Sequence, residues 1–411
     1  MADRLPEQTF IVCVRRLLRG RWDHPFAHSM DMKSLLRRLV EIESPSHDKA
    51  AVDRVGAVVA DEARRLGAQI EIIPNKETGD HIIAKFALTS YPQGSGASET
   101  SKVASSPKGE AQGILLLCHM DTVFPIGTLA NMPYREADGR ILGPGVLDMK
   151  AGIAISLAAI EEAGKSGINR PITLLCTSDE EIGSATSREL IQSLAKEAAL
   201  VLVLESALLD GSLKTWRKGS GEFKVHVKGR AAHAGGDHEK GRNAIEEMSH
   251  HVLAIQKLTD YSKGTTLNVG VIHGGTVSNV VPEHAEIEVD ARFLQPGEWE
   301  RLEGEMKKLK PVLDGTSMEV TGGLNRPPMP FDDTAKATFE KARSIAAGIG
   351  IELKAGGSGG VSDANFVAPL GIPVLDGMGA VGEGYHSDRE YIFESSLEEK
   401  KRLLVELIRK W

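Results

Sequence analysis

Three cysteines in 411 residues, Cys13, Cys118 and Cys176, provide no disulfide framework. So odd and sparse a count fits a reducing compartment, and a cytoplasmic location is expected. Cys118 and Cys176 lie inside apolar runs, where a thiol behaves as a small hydrophobe. Positive charge is also in short supply. A formal net charge of -8 leaves no basic field, which argues against nucleic acid or an anionic membrane as the partner. No apolar stretch approaches the length of a membrane helix. Near the N-terminus, Thr9-Phe-Ile-Val-Cys-Val14 is too short for a signal-peptide core and runs into Arg15 and Arg16. Residues 1–29 are read as a loose extension, with ordered structure starting near Met30 or Met32.

What is present is an ordinary globular composition, 41% hydrophobic and 26% charged, in a chain long enough for two domains. From residue 30 to 212 helix and strand patterns alternate. The runs at 114–118, 172–176 and 201–204 are apolar without alternation, as in strands buried on both faces. Residues 89–112 are rich in Ser, Gly and Pro and read as a surface loop. Between 213 and 324 the character changes: Phe223-Lys-Val-His-Val-Lys228 alternates strictly, and the order βαββαβ describes a small α+β sandwich. Helix and strand patterns return at 325–411. The expected fold is therefore α/β, a mixed-sheet α/β/α catalytic domain (30–212 and 325–411) interrupted by an inserted α+β domain (213–324).

Acids and histidines punctuate the ends of the apolar runs. Gly113-Ile-Leu-Leu-Leu-Cys-His-Met-Asp-Thr122 delivers His119 and Asp121 to the end of a buried strand. Gly143-Pro-Gly-Val-Leu-Asp-Met-Lys150 places Asp148 after a sharp turn. Asp179-Glu180-Glu181 follows another buried strand, Glu205 closes Val201-Leu-Val-Leu204, and Tyr385-His386-Ser-Asp388 repeats the histidine–acid spacing of 119 and 121. Each piece alone reads most simply as a polar loop or a helix cap. Five of them at corresponding junctions of one sheet are hard to ascribe to chance. Imidazole plus carboxylate is the ligand mix of zinc or a similar borderline metal, and ligands at strand C-terminal ends suit an open α/β sheet. This pattern points to a metallohydrolase.

Together these motifs resemble the M20 family of di-zinc peptidases and deacylases, most closely its glutamate carboxypeptidases of the carboxypeptidase G type. The resemblance extends over about residues 32–408 and includes Ala232-His-Ala-Gly235, Val277-Ser-Asn-Val-Val-Pro282 and Gly356-Gly-Ser-Gly-Gly-Val-Ser-Asp363. It implies two Zn2+ ions, with Co2+ or Mn2+ as substitutes, bridged by Asp148. His119 and Glu205 would complete one site, Glu181 and His386 the other. It further implies Glu180 as general base, Asp121 behind His119, and a cis peptide after Asp148. His233 and Asn279 would serve the neighbouring subunit's site in a homodimer formed through the inserted domain. Ser206, where the carboxypeptidase G type commonly has proline, is a departure.

For substrate, Arg292 and Arg326 are candidate carboxylate clamps, because guanidinium forks bind carboxylates bidentately. Lys214 falls where glutamate-selective relatives place a cation for the side chain. Gly360 closes a glycine run that suits close backbone approach to substrate better than a dinucleotide fingerprint. The expected substrate is a small peptide or N-acyl amino acid with C-terminal glutamate. An N-acyl amino acid deacylase of the acetylornithine or succinyl-diaminopimelate kind would use the same metal chemistry, and a non-catalytic metal-binding homologue would show a damaged base or ligand.

Overall fold

A computed structural model describes residues 30–87, 113–168 and 170–411. The extension read at 1–29 and the loop read at 89–112 lie outside the described residues. The architecture is the expected mixed α/β type. Its centre is an eight-stranded sheet in the order Gln69–Ile73, His81–Phe86, Ile172–Thr177, Gly113–His119, Ala198–Val203, Val374–Asp376, Leu213–Arg217, Ala355–Ser358. Gly113–His119 runs parallel to both its neighbours, so the ends of three apolar strands open on one edge.

The unalternating runs are explained by two cores. In Gly113–His119, Ile114, Leu116 and Cys118 enter a core with the helices Met32–Val40, Lys49–Arg65, Ala151–Gly164 and Glu394–Lys410. Leu115 and Leu117 point the other way, into a core with Ile191 and Phe366. Both faces being covered, no position in the strand can be polar until its end. Ala151–Gly164 is buried almost throughout, and its small residues let it lie close to the sheet. A Cβ on Gly152 would stand 2.2 Å from the carbonyl oxygen of Leu204.

A four-stranded antiparallel sheet, ordered Thr266–Gly274, His284–Phe293, Gly219–Lys228, Ser317–Arg326, has its own core with the helices Ala244–Gln256 and Glu298–Lys307. Strand alternation puts Phe223, Val225 and Val227 under the helices and Glu222, Lys224 and His226 in solvent. Phe223 stacks on Trp299 at 4.9 Å, where Gly221 is needed because a Cβ would lie 2.0 Å from the indole. The element order is the expected βαββαβ. The unit starts later than the expected boundary at residue 213, however. Leu213–Arg217 pairs with Ala355–Ser358 and so belongs to the large sheet, and the small sheet begins at Gly219. Lys214 and Arg217 are thereby part of the large sheet.

A third sheet, Gly382–Glu383, Tyr391–Phe393, Arg140–Leu142 and Arg135–Ala137, joins two segments far apart in sequence. Tyr391 pairs with Leu142, which brings the hairpin carrying His386 beside the turn carrying Asp148.

Candidate active site

Three strand ends supply the first ligand candidates. His119 is the last residue of its strand, Glu180–Ile182 forms a 3-10 turn just after Ile172–Thr177, and Glu205 follows Ala198–Val203. Asp121, buried, ties the first two together. Its carboxylate accepts from the backbone N–H of Glu180 (3.2 Å) and Glu181 (3.1 Å) and from Ser46 Oγ (2.7 Å). Asp121 also stands behind His119, where its carboxylate shares Nδ1 with its own backbone carbonyl. The nearer acceptor to Nδ1 is the backbone carbonyl of Asp121 at 3.0 Å, with the carboxylate at 3.5 Å. Either contact leaves Nε2 to face the site.

Asp148 follows the Gly-Pro-Gly turn, and the peptide bond to Met149 is cis. The turn is held by a residue that sequence reading missed. Buried Glu390 accepts the N–H of Leu147 (2.7 Å) and Asp148 (3.0 Å) on Oε1 and that of Gly145 (3.0 Å) on Oε2. The Asp388 analogy with Asp121 therefore fails, since Asp388 is exposed and the acid turned inward is Glu390. His386, at the tip of the same hairpin, adopts φ 55°, a left-handed conformation uncommon for a residue with a side chain.

The five candidate ligands converge. Asp148 Oδ1 lies 3.1 Å from His119 Nε2, which is 3.4 Å from Glu205 Oε1. Asp148 Oδ2 lies 3.3 Å from His386 Nε2, which is 3.4 Å from Glu181 Oε2. Glu180 also stands within ligand range of His119 and Glu205. Hydrogen bonds to Asp148 and Glu181 push His386 up to about 10, and burial together with Asp148 pushes Glu181 up to about 7. Burial opposes ionisation of Asp148, yet hydrogen bonds from the two imidazoles hold its carboxyl below the usual range. Such shifts describe carboxylates crowded closely enough to require positive charge among them. Glu181 Oε1 is buried without a hydrogen-bond partner. Two imidazoles, three carboxylates and that orphaned oxygen fit divalent cations of the zinc type.

The family model for peptidase family M20/M25/M40 matches residues 115–410. Carboxypeptidase G2 from Pseudomonas sp. (strain RS-16) is 30% identical over 388 residues, 91% of this chain and 87% of the relative. Aminopeptidase PepT from Bacillus cereus superposes with a TM-score of 0.73 at 24% identity, covering 93% of this chain and 98% of that one. A metallo-carboxypeptidase of the M20 family from Sulfolobus solfataricus does so with 0.70 at 16%, covering 92% and 99%. The chain belongs to the M20 peptidase family. It is a hydrolase.

In this M20 member a cleft of about 720 Å³ opens over the ligand cluster and is lined by Lys214, Arg217, Arg292, Arg326, Gly360 and Tyr385, among others. Arg326 is not a free clamp. It is 3% exposed, and its Nη2 donates to Glu180 Oε1 (2.9 Å), Ser184 Oγ (2.7 Å) and Asp363 Oδ1 (3.1 Å). This one nitrogen holds the chain's own Glu180, while Nε has no hydrogen-bond partner. Arg292 is more open but bonds Asp290 of its own strand through Nε and Nη2. Lys214 is buried, donates to Ser206 Oγ at 3.3 Å and lies over the Tyr385 ring. Burial, with Arg217 nearby, lowers its pKa. The Gly360 N–H is taken by Ser358 Oγ at 3.0 Å.

His233 and Asn279 are exposed, joined by the short pairing of Ala232–His233 with Val280–Val281, and do not line the cleft. Arg217 was not foreseen. It is 3% exposed, bonds Asp376 through Nε and the carbonyls of Gly360 (3.2 Å) and Val361 (3.0 Å) through Nη1, while Nη2 has no hydrogen-bond partner. The only sequence signal for it was an arginine ending a short strand beside Lys214.

Proposed function

We propose that this chain is a di-zinc amidohydrolase that cleaves an amide bond next to a free carboxylate and releases C-terminal glutamate from a peptide or N-acyl substrate. The observation that carries this reading is the split carboxylate of Asp148, one oxygen 3.1 Å from His119 and the other 3.3 Å from His386. His119 and Glu205 would hold one cation with it, His386 and Glu181 the other; Co2+ or Mn2+ suits the same donors. When bound, the cations supply Lewis acidity, acidifying water and polarising the scissile carbonyl. Glu180 takes the proton from the attacking water and passes it to the leaving amine. Burial raises its carboxyl, which suits a group that must keep a proton between the two transfers. Arg326 fixes one Glu180 oxygen, and Asp121 fixes the turn that separates the jobs of Glu180 and Glu181.

Lys214 and the Nη2 of Arg217, which has no hydrogen-bond partner, offer positive charge to a substrate carboxylate in the cleft, and Arg292 adds to it by exchanging Asp290 for a second one. The similarity to carboxypeptidase G2 supports carboxy-terminal cleavage. The unit built on the four-stranded sheet acts as a lid and as the surface of a homodimer. His233 and Asn279 would then enter the partner's site. His233 Nδ1 already accepts from the N–H of Gly235 and Gly236, so Nε2 is left as the donor toward an oxyanion.

The test is Glu180→Ala, which should abolish turnover while zinc content stays at the wild-type level. Unchanged hydrolysis would sink the mechanism. Substrate class is tested with Lys214→Ala on N-acyl-glutamate and N-acyl-ornithine. Loss confined to the first supports glutamate release, whereas equal loss on both favours the deacylase reading.

A further inference from the structure

The open face of the four-stranded sheet carries a second group of imidazoles, away from the cleft. In strand register His273 and His226 stand on either side of Glu286, one from each neighbouring strand. His284, two residues before Glu286, projects from the same face. The helices Ala244–Gln256 and Glu298–Lys307 pack against the opposite face, so nothing in the chain's own core claims these side chains. All four, with Glu283, line a cavity of about 410 Å³. His226 Nδ1 is already 3.3 Å from Glu286 Oε2. One turn of the pleat nearer the cleft, the same strands pair Lys224 with Glu288 at 2.8 Å, an ordinary surface ion pair. The histidine row differs from it in setting imidazoles on both sides of one carboxylate.

We infer that His226, His273 and Glu286, with His284 as a fourth donor, form a separate binding site for a borderline divalent transition metal such as Zn2+ or Ni2+. Neighbouring strands are about 4.8 Å apart, so the two flanking histidines start about 9.6 Å from each other with Glu286 midway. As placed, their ligand atoms are not all gathered within metal range, and a cation with bond lengths of about 2.0–2.1 Å would draw the imidazoles inward over the middle strand by side-chain rotation. The side chains are free to rotate: His226 is 48% exposed, Glu286 50% and His284 69%. Nitrogen-rich donors of this kind select zinc, nickel or copper over magnesium or calcium. A cation there would pin three strands together at the end of the sheet remote from the cleft. Glu222, which lines the cleft, is four residues and so about 13 Å along the strand from His226.

The test uses the full chain, stripped with chelator and dialysed to equilibrium against ZnCl2 or NiCl2. Wild type should take up one equivalent more than His226→Gln/His273→Gln, with the rate of amide hydrolysis in excess zinc and the melting temperature of the metal-free protein unchanged. Asp148→Asn should lose zinc from the cleft and keep this equivalent. Equal uptake by wild type and the histidine pair variant overturns the proposal, as does a loss that appears only with a lowered melting temperature of the metal-free protein.

Discussion

Replacing Glu390 tests how the Asp148 turn is built. Three backbone N–H groups within the Gly145–Asp148 turn converge on one buried carboxylate. Burial pushes the Glu390 carboxyl up to about 8 while the three N–H donors favour its ionised form, in which such hydrogen bonds contribute about 1.5–3 kcal/mol each; each buried donor left bare costs about 1–3 kcal/mol. The three share one side chain and are not additive, so Glu390→Ala should lower stability by about 3–5 kcal/mol rather than by their sum. Glu390→Gln is the finer perturbation. Its carbonyl oxygen can replace Oε1 and keep Leu147 and Asp148, but its amide then points a donor at the Gly145 N–H. That variant should lose about 1–2 kcal/mol. Because the turn aims Asp148 between the two histidines, zinc affinity should fall roughly 10–100-fold in the alanine variant. Urea unfolding of the metal-free proteins and competition with a chromogenic chelator read the two effects separately. An alanine variant within about 0.5 kcal/mol of wild type, with unchanged zinc affinity, would refute the assignment of Glu390 as the residue that holds this turn.

Gly152→Ala should destabilise by about 3 kcal/mol, measured by urea unfolding, because its Cβ would meet the Leu204 carbonyl at 2.2 Å; displaced Leu204 would carry Glu205 with it and weaken zinc binding. Arg217→Met should cost about 3–5 kcal/mol by leaving buried Asp376 without its cation, and Arg217→Met/Asp376→Leu should recover much of the loss in a double-mutant cycle. Burial pushes the Lys400 ammonium from 10.5 down to about 8, although its Nζ donates to the carbonyls of Gly211 and Gly377. A depressed lysine disfavours folding fully below the folded value, and the penalty vanishes above the unfolded one. The stability of wild type relative to Lys400→Met should therefore rise by about 3 kcal/mol between pH 8 and pH 10.5, and a difference that stays flat over that window would contradict it.

Where a polar residue ended an apolar run, the linear chain was sufficient to find it. His119, Glu180, Glu181 and Glu205 were legible because a strand buried on both faces admits no imidazole or carboxylate before its end. Periodicity likewise separated the half-exposed strands of the small sheet from the buried strands of the large one. Asp148 and His386 were singled out by a sharp Gly-Pro-Gly turn and by a repeated histidine–acid spacing rather than by an apolar run. Glu390 was missed, and the pairing of Arg326 with Glu180 was not foreseen, because those partners are remote in sequence. Arg326 looked like a free fork until its strand register set it on Glu180, 146 residues away. Glu390 is 245 residues from Gly145, and its place looked no different from that of exposed Asp388.

The order of apolar runs and the residues that end them pointed by themselves to an α/β fold and metallohydrolase chemistry, because burial on two faces and metal-ligand chemistry both depend on residue type and spacing; the M20 family came from the resemblance of the motifs. Only the tertiary structure decided which charges are spent on one another. Arg326 is engaged by Glu180 and Asp363, Arg292 by Asp290, while Arg217 is held by Asp376 and keeps Nη2 without a hydrogen-bond partner, 4.0 Å from Glu205. The pairing of Arg326 depends on distances of a few ångströms to groups 37 and 146 residues away in sequence, and no local pattern encodes those distances.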